Sequence, residues 1–513
     1  MNRTRRQAGT LAVVIGSGLG GLAAAARLLA KRWDVEVIEA LDQPGGRARV
    51  FRAGGHVFDA GPTVITAPYL LGELFALHGR RLEDYVTLVP VDPFYRVLFA
   101  DGSEFDYVGD EERLLAQIRG FNARDVDGYR RLAAHARRIF EVGYERLADV
   151  PFDRARDMLG VIPSMVRLES YRTVWSLVSR YIRDERLRRV FTFEPLLVGG
   201  SPFRVSSIYL LIHWLERRWG VHFALGGTGS IVRGLVRLLD ESGVRLSLGE
   251  PVERIETTNG RVTGVRTARR FVPADVVVSN ADPSFVYTRM IDPLELTPGR
   301  VRAAQRVRQS MSLFVGYFGT ERTYPALAHH TIVLGRRYEG LLDDIFRRRH
   351  LADDFSLYLH APTRTDTMLA PAGRETFYVL SPVPNTRSGV DWSARGEEYF
   401  DCILGALEDR LLPGLRGAIT TRFSMTPHDF ERDLRSVDGA AFGPEPVLTQ
   451  SAYFRYHNRA PELAGLYFVG AGTHPGAGVP GVLCSAKVLD RLIPRVGAGR
   501  ARGGGVVSLD RIA

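Results

Sequence analysis

The chain has 513 residues, room for about three lobes at roughly 150 residues each, and its 45% hydrophobic and 25% charged content excludes a disordered or fibrous chain. Two cysteines, Cys402 and Cys484, exclude a disulfide framework and a four-sulfur metal site and fit a reducing compartment, so no metal is expected. The surplus of +10 is carried almost wholly by arginine; with no basic cluster interleaved with aromatics it excludes a nucleic-acid partner, while attraction to an anionic membrane surface stays open, at about 1 kcal/mol per basic residue near that surface.

By composition the first 30 residues look like a secretory signal, basic and then uncharged from Leu11 to Ala26. Spacing argues otherwise. Gly16, Gly18 and Gly21 fit G-x-G-x-x-G between a short apolar strand, Leu11 to Ile15, and an alanine-rich helix, Leu22 to Ala30. Gly16 is expected to make the tight turn, Gly18 to admit a pyrophosphate and Gly21 to let helix and strand touch, with Ser17 and Gly20 in the same cradle at a helix N-terminus. A second strand, Val35 to Ile38, ends at Glu39 and Ala40, where the carboxylate is placed to hold a ribose hydroxyl. Pro44-Gly45-Gly46-Arg47 follows, with Gly46 and Arg47 positioned along a diphosphate or ribose, a pattern of large flavoproteins that points to FAD. The same reading keeps the N-terminus uncleaved and the chain in the cytosol or on the cytoplasmic face of a membrane.

Val50 to Phe51 and Gly55 to Phe58 read as a hairpin leading to Asp59-Ala60-Gly61-Pro62-Thr63, a small-residue turn in which Gly61, Pro62 and Thr63 let backbone approach a flat ring. Asp110 to Glu145 reads as helix. From Val161 to Val190 apolar residues recur at helical spacing, among them Ile162, Met165, Val166, Val174, Trp175, Val178 and Ile182, flanked by arginines. Such a stripe faces either a core or a bilayer interface, and Trp214 and Trp219 lend the interface some support. No window holds the roughly 20 uninterrupted apolar residues of a spanning helix. Beyond Gly226 a helix and strands return to the nucleotide-binding domain, with Val252, at the start of one strand, a cofactor-binding candidate and a turn at Asn259-Gly260. Strand-like runs between Met290 and Phe454 suit a substrate-domain sheet.

Leu466 to Val469 reads as a strand feeding the glycine-rich turn from Gly470 to Gly481 and a helix from about Val482 to Leu492. Gly472, Thr473, Gly478, Val479 and Pro480 are expected to meet the flavin end of the cofactor, where amides stabilise developing negative charge. The resulting fold class is α/β: a discontinuous Rossmann-like FAD domain (8–80, 225–285, 461–495), a mixed-sheet substrate domain (81–145, 286–460), a helical lobe that associates with membrane (146–224) and a disordered tail (496–513).

The chain resembles the bacterial and fungal phytoene desaturases, FAD-dependent carotenoid desaturases of the amine-oxidase-like superfamily. The resemblance runs through FDAGPTVIT (Phe58–Thr66), FNARDVDGYR (Phe121–Arg130), LLVGGSPF (Leu196–Phe203), SSIYLLIH (Ser206–His213), LAHHT (Leu327–Thr331), SLYLHAP (Ser356–Pro362), EPVLTQSAYFR (Glu445–Arg455) and VGAGTHPGAGVPGV (Val469–Val482). It implies an apolar C40 polyene as substrate, FAD as bound cofactor, a peripheral membrane setting and oxygen or a quinone as final electron acceptor. Desaturases of hydroxylated or C30 carotenoids are alternatives, with a flavin amine oxidase or a prenyl-binding escort more remote. Where the family often has Ile-Thr-Asp-Pro, this chain has Ala67 in place of the aspartate. Arg156-Asp157-Met158-Leu159 resembles a region given an acid-base role, which makes Asp157 the catalytic candidate; a surface helix charge is the competing account. His329, His330 and His360 are further polar candidates, with structural satisfaction the commoner role of such histidines.

Overall fold

The computed structural model describes residues 11–497. The basic start of the signal-like run and the tail from residue 498 onward lie outside the described residues; Val496, the first residue of the expected tail, still donates its backbone N–H to the Lys31 carbonyl at 3.0 Å.

Short valine- and isoleucine-rich segments form parallel strands when both faces are covered. Five do so here, in the order Leu466–Phe468, Val276–Ser279, Leu11–Ile15, Asp34–Ile38 and Arg245–Ser247, every neighbour parallel. The helix Leu19–Ala30 lies on this sheet and packs against the helices Thr228–Glu241 and Val479–Leu492. Being covered on several sides explains its alanines: Ala23 to Ala26 are fully buried, and larger side chains would hold the layers apart. Val252–Thr258 does not join the sheet. It forms a separate antiparallel sheet with Arg261–Thr267 and Phe271–Pro273, closed by the expected turn, with both Asn259 and Gly260 at positive φ.

A second, seven-stranded sheet runs in the order Ile419–Met425, Ser312–Thr320, Glu375–Val383, Leu357–His360, His330–Val333, Tyr95–Leu98 and Glu104–Tyr107. All its pairs are antiparallel except His330–Val333 with Tyr95–Leu98. Every residue of Ser312–Thr320 is buried, so this strand is the sheet's spine.

The periodic stretch from Val161 to Val190 is not one helix, and its burial differs from part to part. The helix Ala155–Arg167 has no buried residue, and it ends before Glu169, whose φ is +52°. The short helices Val174–Val178 and Glu185–Val190 bury Val174, Val178, Leu187 and Val190 in the core. Buried Asp125 fixes the break between them by accepting the backbone N–H groups of Arg183 and Asp184, each at 2.8 Å. The tryptophans also face protein. Trp219 lies 4.9 Å from the Tyr69 ring and 5.4 Å from Phe140, and Trp214 stacks under Arg137 at 5.8 Å.

Candidate active site

A cavity of about 490 Å³ begins at the C-terminal edge of the parallel sheet and ends against the seven-stranded one. Its first wall is nearly all backbone. Gly16 turns at φ +90° and donates its N–H to the Ile38 carbonyl. A methyl group on Gly21 would sit 1.9 Å from the Gly16 carbonyl oxygen, and one on Gly20 would sit 2.5 Å from Asn280 Oδ1, so the strand-to-helix turn closes only on glycine. Gly45 pairs with Gly18 through a bridge and with Ser17 through a hydrogen bond of 3.0 Å, which lays the Gly-Gly-Arg turn over the first one. Glu39 accepts from the Ser17 N–H (2.7 Å), the Ser17 hydroxyl (2.8 Å) and the Leu41 N–H (3.0 Å). An ionised carboxylate has about four acceptor sites, so one is left for a ribose hydroxyl.

Of the residues expected here, Gly16, Gly18, Gly20, Glu39, Ala40, Gly46, Arg47, Gly61, Pro62, Thr63, Val252, Gly478, Val479 and Pro480 line the cavity. Ser17, Gly21, Gly472 and Thr473 stand behind the lining. Ser17 braces Glu39, Gly472 has Pro283 where its side chain would be, and the Thr473 hydroxyl donates to the Tyr456 carbonyl at 2.6 Å. The second glycine-rich turn ends with Gly478 at φ +89°, from which the helix Val479–Leu492 starts with Pro480 in its first turn.

Arg47 donates through Nη2 to Ser436 Oγ at 2.7 Å, while its buried Nε has no partner among the described residues. An unpaired buried guanidinium N–H beside a cradle without side chains is what an anionic dinucleotide completes, so the residues present fit a flavin nucleotide. The turn between the walls is stapled from both sides. Asp59 is buried under the start of the helix Thr228–Glu241, and desolvation pushes its carboxyl up to about 6 against the backbone N–H groups of Thr228 and Gly229. Ala67 is buried at φ +52°, a conformation that alanine rarely adopts.

The opposite wall is aliphatic and aromatic, from Leu196 and Val198 through Ile332 and Leu380, with a polar seam at Thr63, Tyr358 and Tyr378. Thr63 Oγ1 lies 2.7 Å from the Tyr378 hydroxyl and 2.9 Å from that of Tyr358, Tyr378 donates to the Gly61 carbonyl, and Tyr358 is 2.7 Å from His330 Nδ1. One proton per hydroxyl orders the chain: His330 Nδ1–H to Tyr358, Tyr358 to Thr63, Thr63 to Tyr378, Tyr378 to Gly61. His330 and His360 face each other across adjacent strands, and His360 Nε2 lies 3.0 Å from His329 Nε2. Burial holds all three histidines neutral, His329 down at about 3.

Glu216, also in the wall, was missed from sequence. It accepts from the Tyr95 hydroxyl at 2.7 Å and is 1% exposed. Its signal was a carboxylate on the apolar stripe Ile212, Leu215, Trp219 of one helix. Asp157 lies apart from these residues: its carboxylate accepts the Arg154 backbone N–H at 3.2 Å in the first turn of the surface helix Ala155–Arg167, and it does not line the cavity.

Residues 19–487 match the family of flavin containing amine oxidoreductases. The chain is 50% identical to the lycopene-forming phytoene desaturase of Pseudescherichia vulneris, over 94% of this chain and 98% of that one. It is 43% identical to the neurosporene-forming phytoene desaturase of Rhodobacter capsulatus, over 94% of each. In fold it is similar to an oxidoreductase from Methanosarcina mazei, with a TM-score of 0.64 and 19% identity over 94% of this chain and 100% of that one. A flavin cradle built from both ends of the sequence and chain-long similarity thus agree: the chain belongs to the flavin containing amine oxidoreductase family and, within it, to the phytoene desaturases.

Proposed function

We propose that the protein is an FAD-dependent phytoene desaturase, which takes a hydride and a proton from neighbouring carbons of an apolar C40 polyene and carries it to neurosporene or lycopene. The observation that carries this reading is one cavity in which a glycine cradle with an unpaired Arg47 Nε runs into an aliphatic and aromatic wall. Two glycine-rich turns, one at each end of the cradle, suit a dinucleotide rather than a mononucleotide. A flavin bound there supplies the hydride acceptor. The protein holds the polyene by burying it, at about 25 cal/mol per Å² of apolar surface, because phytoene offers no polar handle. Oxygen or a membrane quinone then removes the electrons.

A membrane supplies the substrate in this reading. Among the described residues no helix is long and apolar enough to cross a bilayer. The helix Ala155–Arg167 leaves Leu159 65% and Val166 61% exposed, with Arg154, Arg156 and Arg167 around them, and such a helix suits a bilayer interface. Just before it, Phe152 packs on His474 of the second glycine-rich turn, so the apolar helix stands beside the cavity's flavin end.

The test is anaerobic: purified protein, FAD and phytoene-loaded liposomes, with flavin absorbance and extracted pigments followed together. Bleached flavin with lengthened polyene bands is expected, and the bands count the double bonds introduced. Flavin that stays oxidised beside intact phytoene overturns the reading.

A further inference from the structure

We propose that Glu216 is the group that takes the substrate's proton; the inference rests on the desaturase reading above. Three carboxyl side chains line the cavity: Glu39, Asp433 and Glu216. Glu39 is occupied by Ser17 and Leu41 at the ribose end. Asp433 is paired with Arg49 at 2.8 Å and with Arg432 at 2.7 Å, and its carboxyl is held below the usual range. Glu216 has no cationic partner among the described residues. Oε1 accepts from Tyr95, and Oε2 is buried without a partner among the described residues. A free acceptor in an apolar wall is costly to keep and is where a base acting on a carbon acid belongs.

Glu216 shares the cavity lining with Gly61, Pro62 and Thr63, and its helix is tied to their turn. The helix Leu211–Trp219 runs into His222, which pairs with Ile65 just past the Gly61–Thr63 turn. The Tyr95 ring lies 5.9 Å from His330, the residue that begins the hydrogen-bonded chain to Thr63.

The charged and titratable neighbours agree in direction. Glu194, 3.2 Å from His213 Nδ1, is itself raised by burial, and its charge adds to the desolvation that raises Glu216. His213 is pushed down to about 3 by burial and by Arg217, so it brings no cation. The Arg217 guanidinium is turned to the Val108 carbonyl at 2.7 Å. Tyr95 and Tyr107 are driven up and stay neutral donors. Once ionised, a carboxylate in this setting is a stronger base than one in water. In the step, one C–H bond gives its electron pair and hydrogen to the flavin as hydride. The electron pair of the neighbouring C–H bond becomes the new C=C bond, and that proton goes to Glu216.

The experiment mixes phytoene-loaded liposomes with wild type, Glu216→Gln and Tyr95→Phe holoenzymes from acid to alkaline pH and reads flavin bleaching. In parallel, the infrared band of protonated carboxyl groups is titrated without substrate. Glu216→Gln should keep FAD yet bleach about 100-fold or more slowly, the general-base range. Wild-type bleaching should rise with pH along a limb above the ordinary carboxylate range, and the infrared band lost in Glu216→Gln should titrate along it. Tyr95→Phe removes a donor that favours the charged form and should move that limb to higher pH. Should Glu216→Gln fail to hold FAD, the Tyr95→Phe limb decides, and an unmoved limb overturns the assignment. Glu216→Gln bleaching within a few-fold of wild type overturns it alone; a wild type that never bleaches overturns the desaturase reading with it.

Discussion

The two walls of the cavity are made by opposite means. The dinucleotide wall is glycine backbone in turns that are each local in sequence, and in one of them a methyl group would meet a carbonyl oxygen at 1.9 Å. The polar seam facing it is made of side chains: Thr63 reaches across 295 positions to Tyr358 and 315 to Tyr378. The first wall is a matter of excluded volume and tolerates no addition. The second is a matter of hydrogen-bond partners, where a lost hydroxyl costs on the order of 1 kcal/mol and the shape survives.

The largest effect should follow from breaking the first wall. Gly21→Ala drives a methyl group into the Gly16 carbonyl, with no flexible side chain to give way. Overpacking typically costs about 1–3 kcal/mol, and here the clash falls on the turn that holds the pyrophosphate. The variant should purify without flavin absorbance and melt below wild type. Retention of stoichiometric FAD would show that the turn relaxes as the side-chain wall does.

The contrast explains what was legible in the sequence. Gly16, Gly18 and Gly21 keep fixed spacing because strand, turn and helix are consecutive, so a motif records their geometry. Gly478 and Pro480 are readable for the same reason. That the strand starting at Val252 pairs in a sheet of its own left no signal, because strand composition does not say which sheet a strand joins. The apolar stripe from Val161 to Val190 was read as one object because periodicity does not report Asp125, some 60 positions away, holding the break at Arg183 and Asp184. Tyr358, Tyr378 and Tyr95 left no local signal, since each looks like an ordinary inward-facing strand residue. Glu216 left one, a charge on an apolar helical stripe, and the motif-based reading passed over it in favour of Asp157.

Asp59, at the turn that joins the walls, sharpens the comparison through pH. Its carboxyl is raised from 3.8 to about 6, so the folded state binds the proton more tightly than the unfolded chain. The stability it contributes is fully present below pH 3.8 and is lost as pH rises through about 6. Asp59→Asn cannot ionise and should lose that slope. Denaturant midpoints of wild type and variant, compared point by point across this window, should converge toward low pH, with wild type falling relative to the variant as pH rises. Parallel curves would mean that Asp59 titrates alike in both states.

The smallest effect is expected at Asp157, and it separates a side chain that serves its own helix from one that serves the cavity. Its carboxylate accepts one backbone N–H in the first turn of a helix with no buried residue. Losing such a bond costs about 1 kcal/mol locally, and a segment with so little packing frays without unfolding the rest. Asp157→Ala should therefore leave the melting temperature and the anaerobic bleaching rate within about twofold of wild type, since a surface substitution away from the site changes little. Hydrogen exchange should show faster opening confined to residues 154–160. A loss of bleaching as large as that expected for Glu216→Gln, with the global melting temperature unchanged, would bring the helix Ala155–Arg167 into the cavity during turnover and move the proton acceptor from the buried wall to a mobile surface helix.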